Sequence, residues 1–144
     1  MPVPYQKHGR RHSPSGEDAI PAQFDIKVFS DTQTVSTGDG KFIFAIPADL
    51  GGCYLIDADA YVTTVSSSGT PTIQIRNVTQ SADMLSTRIT IDASEYTSYT
   101  AAAPAVIDTA NNDVATGDRI AIDVDTAGTG AKGLGVILTF KGRG

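Results

Sequence analysis

His8 and His12 stand four residues apart and are the only histidines in the chain. That spacing suits two metal ligands on one face of a helix. The residues between them are Gly9, Arg10 and Arg11, whose charge opposes a bound cation. Residues 1–20 also carry Pro2, Pro4 and Pro14, and proline interrupts a helix. A hydrolytic triad would need serine, histidine and acid held to within about 0.5 Å. A base on an extended leader has no such support, so neither an enzyme nor a cofactor is expected.

The other chemistry-bearing residues lie in the body. Asp57 with Asp59, and Asp123 with Asp125, are carboxylates two apart on strands, so each pair projects to one face. Together they would offer oxygens to a hard cation such as calcium. The simpler reading is solvent-facing charge that keeps strands from adding to other sheets, or partners for Arg76, Arg88 or Arg119. Gly128–Gly135 reads GTGAKGLG, but its lysine is misplaced for a phosphate loop and a strand follows where a helix should begin. A glycine-rich hairpin loop is expected instead. Cys53 is the lone cysteine; no internal disulfide exists, and a small core residue is expected there. Tyr96 and Tyr99 are the one obvious aromatic pair for a sugar platform, against a loop packed on the edge of the domain. Asn77–Thr79 matches a glycosylation sequon, which carries little weight without a secretory signal.

The elements that must position these residues are strands. Phe24–Ser30 puts Phe24, Ile26 and Val28 on one face and Asp25 and Lys27 on the other. Asp39-Gly40 suits a tight hairpin turn, and Lys41–Pro47 (KFIFAIP) is apolar on both faces, which predicts a central, well-covered strand. Ala48–Gly52 reads as one helical turn closed by glycine. Cys53–Val65 predicts a long strand bent near Asp57, with Tyr54, Ile56, Ala58, Ala60 and Val62 on the core face. Pro71–Thr79 turns Ile73 and Ile75 inward and Gln74 and Arg76 outward. Ile89, Ile91, Asp118–Asp125 and Leu134–Lys141 supply further strand segments, and Pro104 stops any helix begun near Tyr96. About eight strands at intervals of roughly 8–15 residues indicate an all-β, antiparallel, jelly-roll-like β-sandwich. It spans residues 24–144 as one domain, with residues 1–23 as an extended N-terminal arm.

Charge separates the two parts. The net charge is -5. The arm holds Lys7, Arg10 and Arg11 against Glu17 and Asp18, and the body carries the acidic excess. An acidic body argues against nucleic acid as a partner. No apolar run approaches the roughly 20 residues that span a bilayer, and no signal peptide opens the sequence, so synthesis in a cytoplasm and no membrane partner are expected. An arm of about 20 residues in polyproline-like extension reaches about 60 Å, against a radius of gyration near 15 Å for the domain. Val3 and Tyr5 are its apolar anchors; Lys7, Arg10, Arg11 and His12 complete the candidate partner-binding set. The arm is expected to lie on something other than its own domain.

The runs Thr37–Gly52 (TGDGKFIFAIPADLGG), Met84–Glu95 (MLSTRITIDASE), Val114–Asp125 (VATGDRIAIDVD) and Gly130–Lys141 (GAKGLGVILTFK) resemble those of small virion structural proteins of tailed bacteriophages. That resemblance covers residues 24–141 and leaves out the arm. It implies a capsid decoration, or cement, protein: a trimer on the capsid surface, binding the major capsid protein, with arms running over the shell. Weak contacts repeated many times add through avidity, and an arm that orders on binding covers a large area. The alternatives are a tail or fibre component, or a calcium- or carbohydrate-binding sandwich module.

Overall fold

The computed structural model describes residues 21–142. The chain is an all-β sandwich in which every strand pair is antiparallel. Six longer strands carry it: β1 (Ala22–Lys27), β2 (Gly38–Ala45), β3 (Tyr54–Tyr61), β4 (Thr72–Asn77), β9 (Arg119–Thr126) and β10 (Gly135–Lys141). Four pieces of two or three residues lie between β4 and β9: β5 (Ala82–Asp83), β6 (Leu85–Thr87), β7 (Ile89–Thr90) and β8 (Val106–Ile107). One sheet has the order β1-β10-β3. The second has β2-β9-β4, with β5 and β7 both on the far side of β4; β6 and β8 form a separate pair. From β1 to β4 each successive strand changes sheet, and β9 and β10 do the same.

Period-two alternation fills the space between the sheets. Val136, Leu138 and Phe140 of β10, Ile120, Ile122 and Val124 of β9, and Ile73 and Ile75 of β4 are all buried in one core. Phe24, Ile26 and Val28 pack against it as expected. Cys53 is a core residue at 2% exposure, and burial pushes its thiol pKa up. Ala48–Leu50 forms the expected single turn, a 3-10 one, followed by Gly51 and by Gly52 at φ 87°.

Ala22 and Gln23, expected in the arm, belong to β1 and pair with Phe140 and Thr139. Three further expectations are corrected. First, the long third strand does bend, but its core face changes parity. Asp57 pairs with Thr139 and Leu55 with Phe140, so Ile56 is an extra residue, a β-bulge. Cys53 and Leu55 therefore face inward before the bulge, Ala58, Ala60 and Val62 after it, and Ile56 is exposed. Second, Asp39-Gly40 is not a hairpin turn. Thr32–Thr37 makes no strand; its one bridge is Thr34 with Lys132. With no partner strand before it, Asp39-Gly40 becomes an irregularity inside β2, between the pairs Gly38–Val124 and Phe42–Ile122. Third, KFIFAIP is not central. Its Lys41–Ala45 part lies in β2 at the edge of its sheet, with Phe42 at 37% and Ile43 at 49% exposure.

Candidate functional site

An edge strand leaves a row of backbone donors and acceptors unpaired, and this fold closes two of its four edges. The outer side of β4 is taken by β5 and β7. The outer side of β3 is bonded by loops: the Leu55 and Val62 amides donate to the Asn112 and Tyr96 carbonyls, and the Ala60 amide donates to Ser98 Oγ. Among the described residues, β1 pairs only with β10 and β2 only with β9. These two open edges lie on the same flank, because the Phe24 and Phe44 rings meet across the sheets at 6.4 Å.

Between them runs a cleft of about 450 Å³, walled by Phe24 and Ile26 from β1 and by Phe42, Phe44, Ala45 and Pro47 from the β2 side, with Gln23 and Asp25 as polar groups. Apolar side chains at an open sheet edge mark an interaction surface or an aggregation hazard. The edge is held in shape from behind. The Gly40 amide donates to Asp123 Oδ1 at 2.7 Å, and Arg76 grips the same carboxylate through Nε at 2.7 Å and a second nitrogen at 3.1 Å. Gly40 has φ 64°, in the left-handed region that glycine adopts without strain. The β2 irregularity is thus fixed by a buried carboxylate on the face of β9 opposite the core.

The outer face of the β1-β10-β3 sheet is polar. Tyr61 Oη donates to Asp25 Oδ1 at 2.6 Å, joining β3 to β1 across β10. Burial, then the Asp25 hydrogen bond and charge, push the Tyr61 pKa up to about 12. Lys27 Nζ sits 4.7 Å from the Tyr61 ring centre and 2.9 Å from Asp31. Asp59 accepts from Ser98 Oγ at 3.0 Å; burial raises its pKa and the neighbouring Asp57 adds to that, against the Ser98 bond. Tyr99 stands 66% exposed on this side and Tyr96 is 59% exposed, the first turned upward in pKa by burial and then by the Asp59, Asp57 and Asp25 charges.

The structure separates the two aspartate pairs, so they make no joint cation site. Asp57 and Asp59 belong to β3 in one sheet, Asp123 and Asp125 to β9 in the other. Asp123 and Asp125 are ion-paired instead, with Arg76 at 2.7 Å and Arg88 at 2.5 Å. Among the described residues no group of three or more His, Cys, Asp or Glu is placed to hold a metal ion. Asn77 of the sequon is fully buried and its amide nitrogen donates to Asp118 at 3.0 Å, which leaves no room for a glycan. The glycine-rich segment is not the expected hairpin loop: β9 pairs with β2 and β4 and β10 with β1 and β3, so the segment crosses from one sheet to the other. Val3, Tyr5, Lys7, Arg10, Arg11 and His12, with His8, lie outside the described residues. The sequence does not single out the open flank; its one signal there is the two-faced apolar pattern of KFIFAIP, which equally suits a central strand.

No family model, no curated protein and no solved structure matches this chain. Among the described residues no helix is long and apolar enough to cross a membrane.

Proposed function

We propose that the chain is a phage capsid decoration (cement) protein, which stabilises the head shell by binding the major capsid protein with its β domain and N-terminal arm, as a homotrimer on the capsid surface. The observation that carries this reading is the open apolar flank between β1 and β2, at the point where the arm joins the body through Pro21. A two-layer domain whose other edges are closed, and whose β1 and β2 edges take no outer partner among the described residues, offers a surface to other chains beside a basic N-terminal sequence. The fold supports a jelly-roll reading as well: β1-β10-β3 and β2-β9-β4 draw alternately on successive strands, as two interleaved Greek keys do.

The test is reconstitution on particles that lack the protein. The full chain sediments with the shells at saturating occupancy and raises their resistance to heat. The chain without residues 1–20 keeps its own cooperative unfolding but loses most of its shell affinity. Absence of shell binding by the full chain, or collapse of the shortened domain, overturns the reading. The exposed Tyr96 and Tyr99 favour a second one, a carbohydrate-binding tail or fibre module, which a glycan-dependent rise in melting temperature would support.

A further inference from the structure

We propose that the β1–β2 flank is the docking site for residues 2–5 of a neighbouring copy's leader, which adds as a short strand along the open edge of β2. This rests on the reading of the leader as an arm that lies on something other than its own domain. Three features of the chain select that occupant.

The first is local pattern. In an extended strand the side chains of residues two apart share a face, and their backbone N–H groups share a side. The sequence Pro2-Val3-Pro4-Tyr5 therefore places Val3 and Tyr5 together on the face that would enter the cleft. It also turns both of their N–H groups to the β2 edge. Pro2 and Pro4, which have no N–H, take the opposite side, where a further strand would otherwise pair. Such a segment caps an edge and stops the sheet from growing. Backbone bonds would supply affinity and the two side-chain positions selectivity, as in other strand additions.

The second is where the chain leads. Residues 1–20 join the body at Pro21, and Gln23 and Phe24 already wall the cleft. From there to Tyr5 an extended chain covers about 50 Å, enough to leave one domain and reach the same flank of the next. The arrangement is head-to-tail, and it closes into a ring when the rotation between copies allows. The third is charge: the segment following Tyr5 carries Lys7, Arg10 and Arg11, and Asp25, which accepts from Tyr61 on the outer face of β1, lies at the rim of the cleft.

The experiment uses full-length chains. One carries Tyr5→Cys; a second, of different mass through a tag, carries Ala45→Cys on the cleft wall. They are mixed and treated with a short bismaleimide. Cys53, at 2% exposure, serves as the unreactive background in the parent chain. The expected result is a product joining the two chains, which falls about tenfold when Val3→Lys is added to the leader, and likewise with Phe42→Lys on the body. A double variant, Tyr5→Cys with Ala45→Cys, that links only within one chain while the mixture gives no product would overturn the proposal in favour of the chain's own leader. No product from either would overturn it outright. Shell binding is measured on the same chains: binding without the cross-link removes this docking and leaves the decoration reading standing, and a cross-link without shell binding does the reverse.

Discussion

Replacing Asp123 by alanine tests what holds the open edge in shape. The carboxylate is buried, 6% exposed, and accepts three hydrogen bonds: two from Arg76 and one from the Gly40 amide. A hydrogen bond to a charged group contributes about 1.5–3 kcal/mol. Breaking a fully buried ion pair from one side costs about 3–5 kcal/mol. Arg76, however, keeps 30% exposure, so water takes up part of the guanidinium that is left behind. The expected loss is therefore about 2–4 kcal/mol, dominated by the Gly40 amide and the buried side of Arg76. For a domain of this size that is about 10 °C in melting temperature. Asp125→Ala is the internal control, because its pair with Arg88 is exposed at both ends, 34% and 51%, and such pairs contribute about 0–1 kcal/mol. Urea unfolding of the three proteins, at unchanged slope, measures both. If Asp123→Ala costs no more than Asp125→Ala, the carboxylate does not pin β2, and the shape of the flank has another origin.

Asp118 gives a pH prediction. Burial alone would raise its pKa, but hydrogen bonds from Asn77, the Ala115 amide and Gln80 outweigh it and the net shift is downward. A depressed folded-state pKa stabilises above the unfolded value, about 3.9, and the contribution is lost as pH falls through the folded value. The stability gap between the parent chain and Asp118→Asn is therefore expected to be full at pH 6 and to shrink as pH falls from about 4 towards 2; a gap independent of pH would refute the assignment. Gly133→Ala is expected to destabilise by well over the roughly 1 kcal/mol of an ordinary glycine change, since φ is 69° and a Cβ there would meet the Asp31 Cα at 3.0 Å as well as Thr63; a neutral melting temperature would show that the Asp31 loop yields.

Much of the fold was legible because period two is local. Asp118–Asp125 and Leu134–Lys141 alternate cleanly, and β9 and β10 follow them. Arg76 and Arg88 were among the expected partners of the β9 aspartates and are the ones used. The failures have physical causes. A single extra residue, Ile56, inverts the meaning of parity on one side of the bulge, and nothing in CYLIDADAYV announces which side. Apolar residues on both faces of KFIFAIP have two explanations, a covered strand or an edge awaiting a partner, and composition does not choose between them. Asp39-Gly40 carries hairpin chemistry, but a hairpin also needs a preceding strand, which is a property of the rest of the chain. The flank was illegible for the same reason: it exists because β1 and β2 end two different sheets on the same side.

The pairing of Ala22 with Phe140 has a practical bearing. It makes the beginning and the end of the body next-door neighbours on β1 and β10. Cargo fused after Gly144, just past β10, would emerge near the start of β1 and crowd whatever the leader reaches for. The exposed turn at Ser67–Gly69, between β3 and β4, is the better place to insert an epitope or a dye when the object is to watch attachment without obstructing it.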